Sequence, residues 1–265
     1  MEIKNETTYL FIDESGDPSF FGKGKKLLLG NEGFQPLLML GALELENKKE
    51  IRRQVIDFQE DIKKDVLFNS ISSIAENPNW YLHAKNDSPD VRTKFFELIR
   101  SMEGIKCKIV LGRKRLNVFQ DKHNGLESEF YFDMIYHLLK GNINDSAQTY
   151  RLFLAARNAN SVTKFSDVVE KVIKQANTPI DYKCNIVSSV DTPELSIIDY
   201  LLWALQRYIY KGEARCFFAL QTKFEFIVDL YDFEKKKLGE NIVYNYPENP
   251  FLLEKASVFR KDGYI

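Results

Sequence analysis

The segment Leu10-Phe11-Ile12-Asp13-Glu14-Ser15-Gly16 places two carboxylates at the end of an apolar run. Side chains alternate along a strand, so Asp13 and Glu14 start on opposite faces unless the following turn re-aims one of them. A carboxylate at the end of a buried strand is costly to desolvate without a cation or donors beside it. A hard divalent ion with oxygen ligands meets that need. The simpler reading is an Asp that ends the strand and caps the turn at Ser15-Gly16-Asp17-Pro18. Asp199 bears on the choice. It lies within the apolar helical stripe Leu195, Ile198, Leu202, Leu205 and Ile209, which turns it toward the core. An Asp so placed either pairs with a cation or a backbone N–H, or converges with the strand-end Asp on one ion. The second arrangement is what metal-assisted phosphoryl transfer requires, with carboxylates holding cations that activate water and neutralise the leaving oxygen. His83 ends the segment Trp80-Tyr81-Leu82-His83, with Lys85 and Asp87 behind it. It reads either as a satisfied structural histidine or as an acid/base or phosphate contact. His123 and His137 read as structural.

Lys106, Lys108, Arg113, Lys114 and Arg115 form a run of five basic residues with no acid among them, and Lys23, Lys25 and Lys26 form a smaller cluster. Such clusters either contact phosphates or protect a sheet edge as solvated charge. Lys235-Lys236-Lys237 reads as a solvated face. No GxxxxGK[ST], GxGxxG, HExxH or GxSxG occurs, so the common nucleotide-loop, zinc-protease and serine-hydrolase patterns are absent.

These residues need a scaffold. The chain has 265 residues, 44% hydrophobic and 28% charged, which excludes disordered and collagen-like classes. Its 37 basic and 38 acidic residues give a net charge of −1, so a uniformly basic nucleic-acid coat is excluded while a local basic groove is not. No apolar run approaches the roughly 20 residues of a membrane span. The first residues carry no apolar stretch of the kind a signal peptide has. The three cysteines are scattered. A reducing cytoplasm, with no disulfide framework and no zinc site, is expected.

Hydrophobic periodicity predicts strands at Thr7–Asp13, Leu27–Leu29, Pro36–Leu45, Lys106–Leu111, Tyr150–Ala155 and Cys184–Val187. It predicts helices through most of Lys48–Asn77 and over Pro89–Met102, Leu126–Leu139 and Val162–Ala176. The last helix starts at Thr192-Pro193. The residues after 210 are aromatic and show no clear pattern. The order predicts an α/β protein with a mixed sheet, a domain over 1–210 and a C-terminal extension over 211–265 packed on it.

The pattern resembles the "domain of unknown function 3800" family, which looks like part of the ribonuclease H-like superfamily. The carrying residues are Phe11-Ile12-Asp13-Glu14-Ser15-Gly16-Asp17, Leu82-His83 before a helix, and Ser188-Ser189 followed by Leu195-Ser196-Ile197-Ile198-Asp199-Tyr200. In the family the last segment usually reads Leu-Gln-hydrophobic-Ala-Asp. Here Ser196 and Ile198 replace Gln and Ala, and the Asp is kept. The resemblance spans roughly residues 8–210. It implies a ribonuclease H-like mixed sheet with helices on both faces, and a setting near phage-defence or mobile-element genes. Ribonuclease H-like enzymes generally carry a further Asp on the strand that here reads Leu152-Phe153-Leu154-Ala155-Ala156-Arg157. Glu14, or Glu127 or Glu129 on the preceding helix, is left to supply that ligand.

Together these readings predict a nuclease acting on DNA or RNA. Asp13, Glu14 and Asp199 would hold Mg²⁺ or Mn²⁺, His83 would assist, and Lys106, Lys108, Arg113, Lys114 and Arg115 would track phosphates. The rival expectation is a catalytically reduced binding or scaffold module in a defence complex. It would carry the aromatic tail (Phe217, Phe218, Phe224, Phe226, Tyr231, Phe233) as an interface to a protein partner or a second copy.

Overall fold

The computed structural model describes residues 7–140, 142–143, 149–156, 162–175, 180–240 and 242–260. The strands are β1 (Thr7–Ser15), β2 (Leu37–Leu45), β3 (Ile105–Arg113), β4 (Thr149–Ala155), β5 (Asp181–Val187), β6 (Phe224–Leu230) and β7 (Val243–Tyr244). They form one mixed sheet in the order β5-β4-β1-β2-β3-β6-β7. The β1–β2 and β2–β3 pairs are antiparallel, whereas β1–β4, β4–β5 and β3–β6 are parallel. The helices are α1 (Lys48–Lys64), α2 (Ser72–Ala75), α3 (Pro89–Ser101), α4 (Leu116–Asp121), α5 (Glu127–Lys140), α6 (Val162–Ile173), α7 (Glu194–Lys211), α8 (Ala214–Ala219) and α9 (Phe233–Lys237).

Alternation along the strands divides the core into two layers. Phe11, Leu43, Cys107 and Ile109 pack with residues of α1, α3 and α7. Leu10, Ile12, Leu40, Ala42 and Val110 pack with residues of α5 and α6 on the other face. With both faces covered, β2 is apolar at almost every position rather than at every second one. The expected α/β architecture, a mixed sheet with helices on both faces, is therefore present.

Three expectations differ. Leu27–Leu29 forms no strand: only an isolated bridge joins Phe21 to Leu27. The helix expected through most of residues 48–77 stops at Lys64. Asp65 turns out of it, with ψ 124°, and its carboxylate accepts from the Leu67 N–H at 2.9 Å. The segment after residue 210 does more than pack on the domain, because β6 extends the central sheet beside β3. Its aromatics are correspondingly internal. Phe217, Phe224 and Tyr231 are buried, and Phe217 stacks on Tyr208 of α7 with ring centroids 4.9 Å apart. Of the six aromatics expected at an interface, Phe218 is the one largely exposed.

Candidate active site

Asp13 lies near the end of β1, opposite Gly41 of β2 in the antiparallel register. Facing residues of such a pair project to the same side of the sheet. At Gly41 that side is occupied by α7: a Cβ there would lie 2.6 Å from Cδ1 of Ile198. Only glycine lets the helix come so close. Asp199 follows Ile198 directly, so the strand-end and helix aspartates share one face of the sheet. Burial pushes the Tyr81 phenol up, and the carboxylates of Asp199 and Asp13 push it further.

Asp199 retains some exposure. Its Oδ2 accepts from the Ala84 N–H at 2.7 Å. Burial holds its carboxyl above the usual carboxylate range, and His83 and the Ala84 N–H offset this in part. His83 precedes Ala84, whose N–H binds Asp199, so it lies near that carboxylate. Its Nδ1 is buried with no hydrogen-bond partner.

Asp87 organises this loop, a role that its position in the sequence did not suggest. The Asp87 carboxylate accepts from the Trp80 indole N–H at 3.1 Å, the His83 backbone N–H at 2.8 Å and the Tyr200 hydroxyl at 2.6 Å. Tyr200 neighbours Asp199 on α7, so one buried carboxylate ties the loop to the helix. Burial raises the Asp87 carboxyl, and these three donors counter the rise. Arg92 of α3 closes the loop from outside, donating to the carbonyls of Ala84 and Asp87. Asp87→Ala would strand two buried donors and one half-buried N–H, each buried one costing about 1–3 kcal/mol. We expect a destabilisation of about 3 kcal/mol or more in urea unfolding. A loss below about 1 kcal/mol would show that the loop stands without this tie.

Glu14 departs from the expectation. It points to the opposite face, where its Oε2 accepts from the Tyr131 hydroxyl of α5 at 3.1 Å. The turn does not re-aim it, so strand alternation separates it from Asp13. Glu127 is likewise on α5, accepting from the Phe20 N–H and the Ser19 hydroxyl, both at 3.2 Å, and Glu129 is exposed on the same helix. The parallel neighbour β4 pairs Leu154 with Ile12 and continues into the buried Ala155, which carries no carboxylate. Among the described residues, no three His, Cys, Asp or Glu side chains are grouped to hold a metal ion. Two carboxylates nevertheless suit Mg²⁺, which keeps several waters and is commonly held by one or two carboxylates plus substrate phosphates.

The basic run is also corrected. Arg113, Lys114 and Lys108 are buried. Arg113 forms a bidentate pair with Asp229 of β6, at 2.8 and 2.7 Å. Lys114 donates to the Ser19 carbonyl at 2.8 Å, and burial pushes its ammonium down to about 8. Lys108 bridges Glu44 at 3.2 Å and Glu225 at 3.3 Å. Arg115 donates to the Tyr231 carbonyl at 2.8 Å and lies over Phe233. Lys106 is the exposed member, 3.6 Å from Glu46. The run holds β3 to its neighbours. His123 and His137 both lie against Asp133, Nε2 to carboxylate at 3.2 and 3.8 Å, in keeping with structural roles.

No family model matches the chain, and no curated protein matches it. Among solved structures it is similar to ribonuclease H2 from Pyrococcus horikoshii OT3, at 11% identity and a TM-score of 0.44, over 88% of this chain and 85% of that one. It is also similar to Bst-RNase HIII, solved in complex with Mn²⁺, at 8% identity and a TM-score of 0.39, over 79% of this chain and 53% of that one. At this distance neither likeness assigns a residue or an activity. The α/β fold, a mixed seven-stranded sheet with helices on both faces, stands on the chain's own strand order.

Proposed function

We propose that the chain is a ribonuclease H-like, divalent-metal-dependent nuclease with its centre at Asp13 and Asp199. The observation that supports this reading is geometric: Asp13 faces Gly41, and Ile198, the chain neighbour of Asp199, packs against that glycine. Asp13 and Asp199 would hold Mg²⁺ or Mn²⁺, which supplies an activated water and neutralises the leaving oxygen. The chain's own groups do the positioning. The Ala84 N–H fixes one oxygen of Asp199. Asp87 fixes His83 through its backbone N–H, leaving the imidazole to hold or pass a proton near the reacting phosphate. Membership of the "domain of unknown function 3800" family, and a phage-defence or mobile-element setting, belong to the same proposal.

The rival, a ribonuclease H-like binding or scaffold module without catalysis, is favoured by one observation: no third metal ligand joins the pair among the described residues. Incubation of the protein with single- and double-stranded DNA and RNA, with Mg²⁺, with Mn²⁺ and with chelator, separates the two. Metal-dependent cleavage supports the nuclease. Binding with no cleavage under any condition supports the module.

A further inference from the structure

With the run at Lys106–Arg115 occupied in structural contacts, the nuclease reading lacks a place for its substrate's phosphates. A cleft of about 540 Å³ lies between α3 on one side and α7 and α8 on the other, lined by Lys85, Arg92, Phe96, Trp203, Arg207 and Arg215 among others. Four cations meet there against a single acid, Glu213, in a chain whose net charge is −1. Glu213 is held by Arg207 through a charged hydrogen bond of 2.7 Å. Lys85 and Arg215 are exposed and make no ion pair among the described residues. The guanidiniums of Arg92 and Arg207 lie 5.0 and 5.4 Å from the Trp203 ring centre, which keeps them in place before any ligand arrives.

The cleft adjoins the loop that holds Asp199. Trp203 is four residues along α7 from Asp199, about 6 Å along the axis. Lys85 follows Ala84, whose N–H holds Asp199, and Arg92 holds the Ala84 carbonyl at 2.8 Å. A second cavity of about 190 Å³ shares Phe96 and Arg215 with the cleft and adds Arg100 and the acid Glu97. Through those shared residues the cationic and aromatic lining extends past the first cavity. Cations beside aromatic rings in a recessed groove suit a strand with unpaired bases rather than a duplex, whose paired bases cannot enter.

We propose that this cleft binds single-stranded nucleic acid leading into the Asp13–Asp199 site, with Lys85 and Arg215 contacting its phosphates and Trp203 its bases. The proposal rests on the nuclease reading for the strand's destination, and its test is one of binding alone. Fluorescein-labelled 12-nucleotide single-stranded DNA and RNA, and the matching duplexes, are titrated with full-length protein in chelator. Single strands should bind more tightly than duplexes and quench a tryptophan emission that Trp203→Phe removes. The double variant Lys85→Glu/Arg215→Glu, altered at two exposed side chains, should bind single strands about tenfold or more weakly. Its salt dependence should be shallower by about 0.7 in log–log slope for each lost contact. Unchanged affinity in the double variant, tighter binding of duplex, or no binding by wild type would overturn the cleft. Metal-dependent cleavage is measured separately. Binding with these properties but no cleavage upholds the cleft and removes the nuclease; cleavage with unchanged affinity in the double variant does the reverse.

Discussion

Asp199→Asn should keep its fold and lose Mg²⁺- or Mn²⁺-dependent phosphodiester cleavage by at least about 10³-fold. A bound cation supplies several kcal/mol of transition-state stabilisation, and each 1.4 kcal/mol or so is tenfold in rate. The amide preserves shape and can still accept from the Ala84 N–H, so the loss would follow from one missing negative charge. Asp13→Asn should be as severe, and the double variant little worse, because groups that serve one ion act as a unit. Stability should move the other way. The folded protein holds the Asp199 proton more tightly than the unfolded chain, because burial raises that carboxyl. Its contribution is therefore most favourable at low pH and falls as pH rises from the ordinary carboxylate value through the raised one. In chelator at neutral pH, Asp199→Asn should melt at or above wild type, and its melting temperature should fall less steeply across that window. Added metal should reverse the order, because only wild type is stabilised by full binding of the ion. An Asp199→Asn protein that cleaves at the wild-type rate contradicts this assignment.

The second large effect concerns stability alone. Arg113→Met should destabilise the protein by about 3–5 kcal/mol, the usual cost of removing one partner of a buried pair. For a chain of this size that is roughly 10 °C in melting temperature. The guanidinium meets Asp229 bidentately, lies 3.3 Å from Asp232, donates to the Ser257 and Val258 carbonyls, and covers Phe259. Its removal leaves the fully buried Asp229 and Asp232 without this cation. Burial already pushes the Asp229 carboxyl up against the pull of Arg113. Pairing the change with Asp229→Leu should recover much of the loss, since an apolar pair needs no such compensation. Oligonucleotide affinity, measured where both proteins are folded, should not change. A melting temperature within about 2 °C of wild type, or weakened binding without destabilisation, would return Arg113 to the substrate surface.

The contrast between these two residues shows what the sequence could reveal. The aspartates stood out in the sequence because each interrupts a local apolar pattern: the run Leu10-Phe11-Ile12 in β1 and the 3.6-residue stripe of α7. Glu14 was separated from Asp13 by strand alternation, which the sequence already implied. Arg113 was misleading because its partner is 116 positions away. A basic run without neighbouring acids looks uncompensated along the chain, but sheet pairing brings Glu44 from β2 and Glu225 and Asp229 from β6 alongside it. The place of β6 itself was hidden for the same reason. A parallel strand added at the edge of β3 has no hairpin turn to announce its neighbour. The loop tie at Asp87 was also out of reach, because its acceptors and donors are recognisable only once Trp80, His83 and Tyr200 converge.

The central claim, that Asp13 and Asp199 share one divalent ion, is tested most directly by calorimetric titration of Mn²⁺ into wild-type, Asp13→Asn and Asp199→Asn proteins without nucleic acid. Wild type should give a binding isotherm that each single substitution weakens to a similar degree. A wild type that takes up no Mn²⁺, or an Asp199→Asn variant that binds it as wild type does, would contradict the claim.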